Sequence, residues 1–177
     1  MVQKTQGSTI PKHDYEVKGV KSFTGHEGYG FNATLYRKGK KVARVDDMAS
    51  GGEMDYRWLD NDYVIIDFEG YDGREFHRKG TKEEKLFLNF IKSIPPQESD
   101  FAEIDSFKWN GDCFVSHLVG EYESRQKIKK WCRTKTVFQT TDCKEGEYRT
   151  LNCKYDERAR QHIMTKYPDA VIMNERI

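Results

Sequence analysis

Residues 31–45 read FNATLYRKGKKVARV, and this stretch decides the fold. Phe31, Ala33 and Leu35 alternate with Asn32, Thr34 and Tyr36, the two-residue period of a strand with one buried face. A glycine among basic residues follows, then a second strand. A three-residue loop at Lys38–Lys40 sets Leu35 opposite Ala43 and Ala33 opposite Val45. A two-residue loop would set Arg44 against Ala33. Register follows the buried face, so the three-residue loop is predicted, with Gly39 in the left-handed conformation of a bulged turn.

Outward from this hairpin the chain stays rich in strand signals. YEVKGVKSFT (15–24) reads as a preceding strand and GHEGYG (25–30) as the turn between. DDMASGG (46–52) is a loop, and EMDYRWLDN (53–61) a short strand carrying Tyr56 and Trp58. YVIIDF (63–68) holds three consecutive aliphatic residues, which predicts a strand covered on both faces. EGYDG (69–73) turns it back into REFHRKG (74–80). Thr81 and Glu84 form a capping box at the start of a helix whose apolar stripe is Leu86, Phe87, Phe90, Ile91 and Ile94, stopped by Pro95 and Pro96.

Residues 95–110 read as a linker or long loop. Asp112 is the expected cap of a second helix to about residue 131, with Phe114, Val115, Leu118, Val119 and Tyr122 on its buried face. A second hairpin around Gly146 and a last helix capped by Asp156 and ended by Pro168 complete the chain. The expectation is therefore an α+β fold: an antiparallel sheet from the N-terminal half with a packed helix, then a helix–hairpin–helix C-terminal part. Its parts are a flexible arm over 1–14, a sheet and helix over 15–94, the 95–110 connection, and 111–177 packed with 15–94 as one domain.

Composition supports a folded chain. Of 177 residues 13% are aromatic, which disordered chains are not, although mean hydropathy is only −0.89. No apolar run is long enough to span a membrane, and the first residues carry no secretory signal. The four cysteines lack zinc-type spacing. They are read as reduced thiols of a cytoplasmic protein, and no metal or cofactor is expected.

The net charge of +1 conceals segregation. Residues 46–75 hold ten acidic side chains against Arg57 and Arg74. Among them, Asp46, Asp47, Glu53, Asp55, Asp60 and Asp62 are candidates for binding a basic partner. Asp67, Glu69, Glu75 and Lys79 loosely match the carboxylate–lysine set of metal-dependent nucleases, the alternative enzymatic reading. Residues 124–141 contain no acid. They carry Arg125, Lys127, Lys129, Lys130, Arg133 and Lys135 around Trp131, the combination of charge and stacking ring that a nucleic acid contact needs. Basic residues also suit a helix C-terminus through its dipole. No phosphate-binding glycine loop, nucleophile elbow or metalloprotease motif occurs.

Two stretches carry a resemblance. SFTGHEGYGFNATLYRKGKKVARVDDMASGG (22–52) and KTVFQTTDCKEGEYRTLNCKY with the short helix and tyrosine–proline end after it (135–168) are similar to small uncharacterised proteins of bacteriophages and prophages. They cover roughly a third of the chain. No catalytic residue follows from the likeness. It implies a setting, an accessory protein inside an infected bacterial cell. By analogy it implies an anti-defence, anti-CRISPR-like inhibitor whose partner is a host defence protein or ribonucleoprotein complex. A binding protein of that kind is the leading reading, and a simple nucleic-acid-binding module the third.

Overall fold

The computed structural model describes residues 10–69, 74–98, 106–144 and 146–177. The expected turn at 70–73, the start of the arm and the middle of the 95–110 connection lie outside them. The fold is mixed α+β with antiparallel sheets, in two compact units, residues 1–119 and 120–177.

In the first unit β1 (Tyr15–Gly25), β2 (Gly28–Arg37), β3 (Lys40–Asp47) and β4 (Asp55–Trp58) form an antiparallel sheet in chain order. Leu35 faces Ala43 and Ala33 faces Val45, the register that burial demands. The device that achieves it differs from the expected loop. The turn is the two-residue Lys38–Gly39, with φ of 51° and 74°, so Arg37 pairs with Lys40 and Tyr36 with Lys41. A turn of this mirror-image class matches the right-handed twist of the strands. Val42 is then the extra residue of a bulge that restores the register, and both Val42 and Ala43 are buried. A second bulge after Lys18 is made by Gly19 at φ 65°.

The loop after β3 folds back over the β1–β2 turn. Ala49 is buried, and its carbonyl accepts from Glu27 N at 2.9 Å. A Cβ added at Gly25 would stand 2.6 Å from the Ala49 methyl, and one at Gly30 would stand 2.6 Å from the Asp47 carbonyl oxygen. These glycines are required by close approach.

The strands β5 (Tyr63–Glu69) and β6 (Glu75–Thr81) do not join this sheet. They form a separate two-stranded ribbon, so the expected single N-terminal sheet is two. The ribbon also corrects the expectation of burial on both faces. Ile66 is buried at 2% exposure while Ile65 is 56% exposed, because a ribbon with no outer layer has only one face to bury.

The helix α1 (Lys82–Ser93) begins with the predicted capping box: Glu84 N donates to Thr81 Oγ1 at 3.2 Å and Thr81 N to Glu84 Oε2 at 3.2 Å. Its stripe buries Phe87, Ile91 and Ile94, but Leu86 lies at the margin of the arc and is exposed. Phe87 is the centre of an aromatic cluster. Its ring centroid lies 5.5 Å from Tyr15, 5.9 Å from Tyr56, 5.6 Å from Trp58 and 6.0 Å from Phe114. Arg37 donates to both Glu83 oxygens, at 2.8 and 2.7 Å, and ties the β2–β3 turn to the helix. The end of the N-terminal arm is held as well, because His13 packs edge-on against Phe114 at 5.1 Å.

After a short pair, β7 (Gln97–Glu98) with β8 (Ser106–Phe107), comes α2 (Gly111–Cys132), in which the first unit ends and the second begins. Its cap is Asn110, whose Oδ1 accepts from Cys113 N at 2.8 Å, and not Asp112. Asp112 is drawn away by the chain before β4, accepting from Tyr56 Oη at 2.9 Å and Met54 N at 3.1 Å.

The second unit holds β9 (Thr136–Gln139), β10 (Arg149–Leu151), α3 (Glu157–Lys166) and β11 (Val171–Ile172), followed by a 3-10 turn over Met173–Glu175. The expected hairpin is only part of its sheet: β9 is central, with β10 on one side and β11 on the other. Phe138, Ile163 and Ile172 form the core, and Asp156 caps α3 by accepting from Ala159 N at 2.8 Å. Asn174 fastens the 3-10 turn to the end of α2. It accepts from Val137 N at 2.8 Å and donates to Lys135 O at 2.9 Å and Cys132 O at 3.2 Å. No described helix is long and apolar enough to cross a membrane.

Candidate functional site

The acidic candidates separate when placed on the fold. Asp46 faces Asn32 and lies in reach of Arg57, accepting at 2.6 and 2.7 Å. Asp47 turns inward along its own loop and accepts from Ala49 N at 2.9 Å. Asp60 Oδ2 accepts from Glu83 N at 3.1 Å, so it serves as a second anion at the start of α1, where the helix dipole favours it. Asp62 contributes its carbonyl to Lys82 N at 2.7 Å, while Asp55 and Glu53 are exposed. Three of the six carboxylates are thus engaged: Asp46 across the strands, Asp47 in a turn and Asp60 at a helix start.

Asp46 yields a test. Its hydrogen bond from Arg57, aided by Asn32, holds the carboxyl below the usual range. A depressed folded value means the interaction stabilises above about pH 4 and is lost as pH falls through that lower value. Asp46→Asn should lower stability by about 0.5–1 kcal/mol at neutral pH and leave it nearly unchanged at the acid end. Urea unfolding at both pH values measures it, and an equal loss at each would refute the assignment.

The nuclease-like set lies on the paired strands β5 and β6, with Glu69 opposite Glu75, Ile65 opposite Lys79 and Asp67 opposite His77. Asp67 accepts from His77 Nδ1 at 2.7 Å and lies 3.8 Å from Lys85 Nζ, and the His77 bond holds its carboxyl low. Lys79 sits over the Tyr63 ring at 4.4 Å. Among the described residues no group of three His, Cys, Asp or Glu is gathered to hold a metal.

The basic candidates do converge, though not all of them. Four residues along a helix rise about 6 Å and turn little more than once, so positions four apart share a face. Arg125 and Lys129 stand in such a row at the end of α2, and Arg133 continues it in the turn just past Cys132. Two neighbouring clefts, of about 620 and 490 Å³, both contain Lys129 and Ile177. Arg125, Tyr148 and Arg176 line the first, and Arg133, Lys154 and Tyr155 the second. Glu121 is the one acidic side chain in either lining. All five cations are exposed and make no ion pair among the described residues. Arg37, Arg57, Arg78, Arg149 and Arg160, by contrast, are each paired with a carboxylate.

Lys127 and Trp131 point elsewhere on the helix, with the ammonium 4.9 Å from the ring centroid. Lys130 and Lys135 line neither cleft, and Lys135 is half-buried. The rings of the clefts are instead Tyr148 and Tyr155, the latter donating through its hydroxyl to Glu175. The four-residue spacing of Arg125, Lys129 and Arg133 is legible in the sequence. Lys154 and Arg176 are not, because the Asn174 clamp and the path of the chain after β10 bring them to the helix.

Chemically, the row offers permanent positive charge at intervals of about 6 Å beside two aromatic faces, and no nucleophile–base pair accompanies it among the lining residues. Comparison of the chain with protein-family models, with curated proteins and with solved structures finds no match.

Proposed function

We propose that the protein binds nucleic acid and that the cleft row on α2 is its grip. The observation that carries this is the convergence of Arg125, Lys129, Arg133, Lys154 and Arg176 without carboxylate partners. Cations that no carboxylate neutralises remain available to displace counterions from a phosphate chain. Tyr148 and Tyr155 supply faces on which bases can stack, which favours a single strand over a duplex.

In the phage-type setting suggested by residues 22–52 and 135–168, the strand is one presented by a host defence complex, and the protein is an accessory inhibitor of that complex. The acidic loops at Asp46–Asp62 are not needed for this grip. Fluorescence anisotropy with a labelled single strand tests the first part. If three to five phosphates are neutralised, log affinity should fall against log salt with a slope of roughly −2 to −3.5. No binding at low salt, or binding indifferent to salt, would remove the proposal. Capture from a bacterial lysate before and after nuclease treatment tests the second part: recovery of a ribonucleoprotein must depend on intact nucleic acid.

A further inference from the structure

A cavity of about 320 Å³ in the first unit lies among β4, α1 and the start of α2, and the reading above does not use it. Its origin is in the sequence of β4. Tyr56 and Trp58 lie two apart on one strand face, opposite Val45 and Ala43, so both rings point to the core side of an edge strand. They stack at 6.0 Å with 11° between planes, and Phe87 closes the third side at 5.6–5.9 Å. Gly111 lets the helix start come close, since a Cβ there would stand 3.1 Å from Phe87.

The charge of the lining is negative: Glu53, Glu84 and Asp112 against Arg78. Most of its acceptors are engaged. Asp112 takes one hydrogen bond on each oxygen, from Tyr56 Oη and Met54 N. Glu84 holds Arg78 at 2.6 Å and the Thr81 amide. Asp112 in the first turn of α2 also offsets the positive end of that helix. What remains is the uncompensated charge of Glu53, the half-buried rings of Tyr56 and Trp58 backed by the buried Phe87, and few acceptors for N–H groups. A quaternary ammonium needs none.

We infer that the Tyr56–Trp58–Phe87 cavity binds a methylated ammonium group. The volume is at the lower end of small-ligand pockets, which run from about 300 to 1,000 Å³. The group can belong to a free small molecule or to a trimethyllysine side chain of a protein.

Calorimetry on the full chain tests this with choline, with its neutral isostere 3,3-dimethylbutan-1-ol, and with a trimethyllysine peptide. Choline or the peptide should bind at least about fivefold tighter than the neutral alcohol, the factor that an exposed cation–ring contact contributes. The tighter of the two cations identifies the source. Glu53 is exposed and makes no ion pair among the described residues. Glu53→Gln should therefore leave the unfolding midpoint unchanged and weaken cation binding about fivefold. Equal binding of the neutral alcohol, no binding of either cation, or an unaffected Glu53→Gln variant would overturn the inference. None of these results bears on the α2 clefts, so the two sites stand or fall separately.

Discussion

Reversing Arg125, Lys129 and Arg133 together to glutamate is expected to lower the affinity for a single-stranded oligonucleotide by roughly a hundredfold or more at moderate salt. The three residues supply most of the positive charge on one helix face, and the change replaces attraction by repulsion along the whole row. The salt slope should shrink in the same variant, because fewer counterions are released on binding. Lys127 and Lys130 are the built-in control: they belong to the same basic stretch but line neither cleft, so reversing them should cost no more than about threefold. Glutamates near a helix C-terminus oppose its dipole, at about 0.3–1 kcal/mol each, so the triple glutamine variant is the companion. It removes charge without reversing it, and should still lose most of the binding while the unfolding midpoint holds. If the Lys127 and Lys130 changes weaken binding as much as the triple change, the grip is diffuse and the clefts are not its site.

Phe87→Ala should be the most damaging single change to the first unit, at about 3–5 kcal/mol. Phe87 is 2% exposed and touches rings from β1, β4 and α2. Removing it leaves those rings facing a void, and α1 loses the residue that seats it on the sheet. A domain of this size has about 5–15 kcal/mol of net stability, so the variant should be partly unfolded at modest urea. Phe87→Leu keeps much of the volume and should lose clearly less. Denaturant melts followed by near-ultraviolet circular dichroism distinguish the two, and an alanine variant within about 1 kcal/mol of the parent would show that the cluster is not the core of this unit.

The same variants mark what the sequence can reveal. The register of Leu35 with Ala43 was legible because a one-residue slip would expose every apolar side chain of the pair. The way the chain reaches it was not. A bulge at Val42 and a three-residue loop satisfy the same alternation, and only backbone twist chooses between them. The Thr81–Glu84 capping box and the Asp156 cap are readable because they are local. The choice of Asn110 over Asp112 was not, because Asp112 is taken by Tyr56, more than fifty residues away.

Burial of YVIIDF is not legible for a related reason. Three aliphatic residues in a row signal a central strand only if layers exist to cover both faces, and here only the Ile66 face is covered. For the site, helical spacing reveals Arg125, Lys129 and Arg133 as one row. It cannot show that Arg176 and Lys154 join them, nor that Trp131 does not. Charge counted along the chain overstated the acidic window, since it cannot see which carboxylates serve turns and helix starts.

The seat of Ala49 beneath the β1–β2 turn sets a rule for sequence drift in this fold. Positions 25 and 49 share room for one methyl group, and the Met48 and Ala49 carbonyl oxygens stand 3.1 and 3.2 Å from a Cβ at 25, so glycine at 49 would relieve the worst of the crowding at 25 but not all of it. Position 30 meets the same methyl, at 3.0 Å, but its nearest obstacle is the Asp47 main-chain oxygen that every amino acid carries, so glycine there should persist in lineages where position 49 has become glycine.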